Sequence, residues 1–124
     1  GLYFRYLKES AMHDYSSSLL HGNTDMLILG LIDEMKSAHG YQLIKEMDRR
    51  SNGFFRLKEG TLYPLLRKLE NKGLLEGKWE STSNGPERRC YLITNKGREF
   101  LNYRMVSWRY FTNAINLVFK TGTG

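Results

Sequence analysis

Apolar residues recur with two different periods along the middle of the chain, and the switch between them lays out most of the architecture. From Lys58 to Leu75 the leucines at 62, 65, 66 and 69 fall at i, i+3, i+4 and i+7, the period of an α-helix with one buried stripe. The opposite side carries Thr61, Tyr63, Pro64, Arg67 and Lys68, a polar, aromatic and cationic face rather than the Glu/Lys mixture of an ordinary solvated helix. Asn71-Lys72-Gly73 reads as the stop, a cation in the last turn followed by a glycine able to take left-handed backbone. Beyond Gly73 the alternation becomes that of a β-strand. Leu74 to Ser81 places Leu75, Gly77 and Trp79 on one side, and Ser83-Asn84-Gly85-Pro86 is a turn. The return strand sets Arg88, Cys90 and Leu92 on one face and Arg89, Tyr91 and Ile93 on the other.

Two helices are expected upstream. Asn23-Thr24-Asp25 has N-cap residue types, and Met26 to Lys36 is apolar on almost every side, which predicts the most buried helix of the domain. Ser37-Ala38-His39-Gly40 breaks it. Tyr41 to Arg50 forms the second helix, with Tyr41, Leu43, Ile44 and Met47 facing inward and Ser51-Asn52-Gly53 ending it. Phe54 and Phe55 follow in a short linker that plugs the core. Pro64 limits where the next helix begins, because an interior proline loses a hydrogen bond and clashes with the preceding turn. With Thr61 as N-cap, Pro64 falls at the third helical position, where its missing N–H costs nothing.

Downstream, Thr94 is an N-cap for a helix from Asn95 to about Phe119, on the order of 35 Å long at about 1.5 Å per residue. Leu101, Met105, Trp108, Ile115 and Phe119 make one stripe on it, interrupted by Thr112. Phe100, Tyr103, Phe111, Ala114 and Val118 make a second beside it. One stripe covers the helix's own domain, and two leave apolar surface for a partner helix. The expected organisation is therefore a leader at 1–22, a winged helix-turn-helix at 23–94, a C-terminal dimerisation helix at 95–120 and a frayed tail at 121–124. Leu2-Tyr3-Phe4 resembles part of a protease-cleavage tag, so the leader reads as partly tag-derived or flexible, with Met12 a candidate native start. The fold class is mainly α with a small β-hairpin.

Charge sharpens this picture. The chain of 124 residues carries a formal net charge of +6, and residues 56–109 hold twelve Lys/Arg against six Asp/Glu. The excess thus surrounds the cationic helix and the hairpin, and local positive charge favours a polyanion through counterion release. The N-terminal end of a helix bearing Thr61, Tyr63 and Pro64 is the end that approaches phosphates and base edges.

Other chemistry is sparse. A single cysteine, Cys90, excludes an intramolecular disulfide framework and a Cys-rich zinc site, and reads as a small strand residue. His39 has no ligand type three or four residues on, so it reads as a hydrogen-bonded or capping histidine. There is no phosphate-binding loop, paired carboxylates, nucleophile grouping or cofactor motif, so an enzyme is the weakest class and no cofactor or metal is expected. No apolar run approaches the roughly 18 to 20 residues that span a bilayer, and Arg5, Lys8 and Glu9 argue against a secretory signal. The expected location is cytoplasmic.

Taken together, several blocks between residues 20 and 100 resemble the PadR family of bacterial transcriptional regulators. They are Thr24-Asp25-Met26-Leu27-Ile28-Leu29, His39-Gly40-Tyr41-Gln42-Leu43, Gly60-Thr61-Leu62-Tyr63-Pro64-Leu65-Leu66 with Leu69-Glu70 and Gly73-Leu74, and Arg89-Cys90-Tyr91-Leu92-Ile93-Thr94 with Gly97. The resemblance implies a dimeric repressor on double-stranded DNA at a pseudo-palindromic operator. Carried over by position, Thr61, Tyr63, Pro64 and Arg67 face DNA on the reader helix, with Lys68 supplying longer-range charge. Tyr41 and Gln42 meet the backbone, core packing being the alternative for Tyr41, and Asn84, Gly85, Arg88 and Arg89 lie by phosphates or the minor groove. Leu101, Met105, Trp108, Phe111, Ile115, Val118 and Phe119 would dimerise. In small family members a tryptophan on the C-terminal helix stacks planar drugs at the dimer centre, which makes Trp108 a candidate for a small aromatic ligand, with a dimer-core anchor as the plainer role. A winged-helix module that binds protein rather than DNA is the competing function.

Overall fold

The computed structural model describes residues 18–119. The leader reading for residues 1–17 and the tail at 121–124 lie outside the described residues. Helix α1 spans Thr24–Met35 and α2 spans Gly40–Arg50, followed by α3 at Glu59–Asn71 and the long α4 at Asn95–Phe119. Three strands, β1 (Ala38–His39), β2 (Leu75–Thr82) and β3 (Gly85–Ile93), form one antiparallel sheet in the order β1-β3-β2.

Strand β1 departs from the expected two-stranded hairpin. Lys36 takes φ 73° at the end of α1 and turns the chain, so that Ala38 pairs with Tyr91 and His39 with Cys90. Two residues are too few to show a period, and what recruits them is the otherwise unpaired edge of β3. His39 then opens α2, its N–H donating to Gln42 Oε1 at 3.0 Å, the capping role anticipated for this residue type.

Helix α1 is indeed deeply placed, with Met26, Ile28, Leu29, Leu31 and Ile32 buried. Its start is held by Thr24, whose hydroxyl donates to Leu20 O at 2.6 Å. Leu43 and Met47 of α2, Leu57 of the linker and Leu62, Leu66 and Leu69 of α3 close on it as one core. Phe55 packs partly against that core and meets Phe54 edge-on at 5.1 Å. The turn between α2 and α3 needs left-handed backbone, supplied at Asn52 (φ 51°) and Gly53 (φ 78°).

Helix α3 begins earlier than the proline rule suggested. The N–H groups of Thr61 and Leu62 both donate to Lys58 O, at 3.0 and 2.9 Å, so Lys58 is the N-cap and Thr61 the third helical residue. Pro64 therefore lies inside the helix, leaving the Gly60 carbonyl without a helical partner at an exposed position. An interior proline costs about 3 kcal/mol. Three wholly or nearly buried leucines on the opposite face outweigh it, at about 1.5–3 kcal/mol each. The stop falls where expected: Gly73 has φ 76°, its N–H donates to Glu70 O, and Leu74 N–H donates to Leu69 O.

The hairpin keeps the expected faces, with Leu75, Gly77 and Trp79 opposite Ile93, Tyr91 and Arg89. Its loop is Ser83-Asn84, because Thr82 pairs with Gly85, and between Glu80 and Thr82 the single residue Ser81 faces two residues of β3, Pro86 and Glu87, so β3 carries the bulge. Thr94 joins sheet to helix: its hydroxyl donates to Gly73 O at 2.6 Å and accepts from Gly97 N–H at 3.0 Å. Arg104 anchors α4 to the start of α1 through Asp25 at 2.8 Å and Gly22 O at 2.9 Å.

Candidate nucleic-acid interface

The α2-turn-α3 unit presents one solvent face of α3, on which Thr61, Tyr63, Pro64, Arg67 and Lys68 are all exposed. Tyr63 is positioned rather than free. Its ring lies over Gly40, where an added Cβ would come within 2.6 Å of Cε1 and 2.7 Å of the hydroxyl. The missing side chain at Gly40 thus lets α2 approach α3 and aims the phenol along the front of the reader helix.

At the start of α2 the inward expectation for Tyr41 fails. It is 57% exposed, with Lys45 Nζ 5.0 Å from its ring centroid. The helical register that buries Leu43 and Met47 turns position 41 outward. Gln42 is also exposed; its Oε1 is taken by His39 N–H, which leaves the amide NH2 directed to other partners. Further along, Arg49 and Arg50 are basic but engaged. Both pair with Glu46 at 2.8 Å, and Arg50 reaches Glu34 at 2.6 Å. Hydrogen bonds from Arg49 and then Arg50 hold the Glu46 carboxyl down to about 2.

The wing divides its cations. Asn84 and Gly85 sit exposed at the tip, and Arg88 is half-exposed with Glu80 at 3.6 Å. Arg89 is different: Nη2 donates to Glu70 Oε2 at 2.5 Å, and its guanidinium carbon lies 5.1 Å from the Trp79 ring centroid. Arg88 and Arg89 stand on opposite faces of β3, and only Arg89 faces the reader helix. Behind Arg88, burial pushes the Cys90 thiol up, and its hydrogen bond to Glu80 at 3.0 Å acts in the same direction. A raised thiol is a poor nucleophile.

Two cationic side chains escaped the sequence reading. Arg56 and Lys58 flank the true start of α3 and, with Thr61, Lys68 and His21, line a cavity of about 420 Å³ against the turn that precedes α1. With Thr61 as the expected N-cap, Arg56 belongs to the linker and Lys58 has no capping role; the lysine carbonyl that accepts two helical N–H groups is not legible in the sequence. Asp25 on the same wall is already paired with Arg104.

Helix α4 stays against its domain as far as Arg104 and the groove beside Trp108, and its remainder is largely exposed. Leu101, 5% exposed, belongs to the domain's own core and so cannot also cover a partner. Met105, Trp108, Phe111, Ile115, Val118 and Phe119 are all exposed, as are Tyr110 and Leu117, the latter 78%. Trp108 stacks tilted on Phe111 at 5.8 Å. It also lines an apolar groove of about 730 Å³ with Met26, Leu27, Leu31, Phe55 and Met105. Among the described residues no group of three or more His, Cys, Asp and Glu could hold a metal, and no helix is long and apolar enough to cross a membrane.

A helix-turn-helix with an adjoining β-wing and a protruding C-terminal helix defines a winged-helix regulator. The transcriptional regulator PadR-like family model matches residues 28–103, and the chain belongs to that family. A protein of uncharacterised function from Lysinibacillus sphaericus is 35% identical over 101 residues, covering 82% of this chain and 92% of its own. The crystal structure of a PadR-like transcriptional regulator from Bacillus cereus is 31% identical with a TM-score of 0.71, covering 82% of this chain and 96% of its own. That of a PadR family transcriptional regulator from Eggerthella lenta, 25% identical, covers 98% of this chain and all of its own with a TM-score of 0.76.

Proposed function

We propose that the protein is a dimeric repressor that reads a pseudo-palindromic DNA operator with α3 and is released from it by a small planar aromatic ligand. The observation that carries this reading is the exposed face of α3 holding Thr61, Tyr63, Pro64, Arg67 and Lys68; Tyr41, Gln42, Asn84, Gly85 and Arg88 are exposed as well. Tyr63 and Arg67 contact base edges, Arg88 and the wing tip contact phosphates, and Lys68 adds longer-range charge. Pairing of two α4 helices through Trp108, Phe111, Ile115, Val118 and Phe119 spaces the two readers by about 34 Å, one DNA turn. A flat ligand stacked on Trp108 between those helices changes that spacing and lowers operator affinity.

The test is gel-shift titration against duplexes selected by the protein from random-sequence DNA. Tyr63→Ala or Arg67→Ala should weaken the selected duplex by about 1–3 kcal/mol and relax its sequence preference. Arg88→Ala should reduce the slope of log affinity against log salt by about 1. Unchanged affinity in both reader-helix variants would remove α3 from the interface. Failure to select any DNA at low salt would favour a protein-binding module instead. For the ligand, quenching of Trp108 emission by a planar aromatic dye, lost in Trp108→Phe, supports the release step; unaltered emission and unaltered DNA affinity refute it.

A further inference from the structure

The wing leaves the body of the domain at one residue pair. Strand β1 supports β3 only at Cys90 and Tyr91, through His39 and Ala38, so the hairpin from Trp79 and Arg89 outward has no third strand beside it. At that boundary Arg89 reaches across to the last turn of α3, donating to both oxygens of Glu70, Nη2 at 2.5 Å and Nε at 3.4 Å. Both side chains are only about a quarter exposed, 28% and 27%. Glu70 stands one residue before the end of α3, where the helix dipole disfavours a carboxylate, so the pair also settles a local charge conflict. The guanidinium lies above Gly77, where a Cβ would come within 2.7 Å of Nε and 2.9 Å of Cζ, and 5.1 Å from the centroid of the Trp79 ring.

We infer that Arg89 is not a DNA contact but a positioning residue: with Glu70, Gly77 and Trp79 it brackets the wing to the reader helix and sets the angle at which both reach DNA. The inference rests on the DNA-reading proposal above. It replaces the expectation, drawn from the strand's sequence alone, that Arg88 and Arg89 act alike at phosphates. The planar fork of Arg matches a carboxylate at two points and so fixes orientation as well as distance. With its charge balanced by Glu70, Arg89 releases no counterion when DNA binds.

Sign separates the bracket from direct contact. Removing an acid from a DNA-facing surface ordinarily tightens binding, whereas loosening the bracket weakens it. Glu70→Gln, Arg89→Gln and Gly77→Ala should each bind the selected duplex about fivefold to tenfold more weakly, with the salt slope of the wild type. Gly77→Ala is the sharpest of the three, since it displaces the guanidinium without altering any charge. The Glu70→Gln/Arg89→Gln double variant should be no weaker than either single one. Wild-type or tighter binding by Glu70→Gln or Gly77→Ala overturns the inference, as does a slope reduced by about 1 in Arg89→Gln. Hydrogen exchange of amides 79–89 in the free protein reads the bracket without DNA. Faster exchange in Glu70→Gln supports it, and unchanged protection refutes it. Failure of the wild type to select DNA instead strikes the DNA-reading proposal and leaves the exchange result standing.

Discussion

Gly97 sits where α4 crosses the start of the wing, and replacing it with alanine sets two effects of opposite sign against each other. Alanine is favoured over glycine inside a helix by about 1 kcal/mol, so sequence alone anticipates a more stable protein. The structure anticipates the reverse. A Cβ at position 97 would stand 2.1 Å from Leu74 O, 3.1 Å from Leu74 C and 2.7 Å from Ile93 Cγ1. The Leu74 carbonyl cannot swing aside, because it accepts the Thr94 N–H at 3.1 Å, and Thr94 in turn holds both Gly73 and Gly97. Overpacking typically costs about 1–3 kcal/mol, and a contact with fixed backbone belongs at or above the upper end. After subtracting the helix gain, Gly97→Ala should lose about 2 kcal/mol, or about 10 °C in Tm for a domain of this size. Gly60→Ala is the control: it lies on α3 with nothing within 4 Å of its added Cβ, and its Tm should hold or rise slightly. Thermal unfolding followed by circular dichroism at one fixed protomer concentration reads both. A Tm for Gly97→Ala at or above that of the wild type would refute the close approach of α4 to the sheet.

His39 yields a pH dependence. Burial first, then the Arg88 charge, lowers its pKa below the usual 6.5, against an opposing pull from Glu80. The unfolded chain therefore binds the proton more readily, so stability is full above about 6.5 and declines as pH falls through that value and below. Tm measured from pH 8 to 5 should fall less in His39→Gln than in the wild type; parallel profiles would refute the assignment. The exposed face of α4 makes a separate prediction. Phe111→Glu combined with Val118→Glu should convert the proposed dimer to monomer in sedimentation velocity while the winged domain keeps its far-ultraviolet spectrum, and a persisting dimer would move the interface elsewhere.

Much of this fold is readable locally. The leucine stripe at 62, 65, 66 and 69, the helix stop at Gly73, the alternation around Trp79 and Arg89 and the cap at Thr94 each occupy a few consecutive residues, and each stands where its pattern puts it. The face of α3 proposed to read DNA was legible for the same reason, since its residues are the complement of a periodic buried stripe. The departures from local pattern depend mostly on groups distant in sequence. Tyr41 is the exception, since the register of Leu43 and Met47 within α2 already turns it outward despite its apolar ring. Strand β1 exists only because β3 offers an edge to it. Arg89 looked like a free cation until α3 brought Glu70 against it from 19 residues away.

By itself, the sequence determines which of the longer segments are helix or strand and where their main apolar stripes run, because those choices are made by side-chain spacing over one or two turns. It also concentrates positive charge between residues 56 and 109, whatever the fold does with it. Tertiary structure decides the rest: that Pro64 is carried inside α3, that Arg88 stays available while Arg89 is consumed, and that α4 keeps Leu101 and surrenders Trp108. In each case two groups far apart in the chain compete for one space or one charge. Only packing brings them close enough for the competition to have a result.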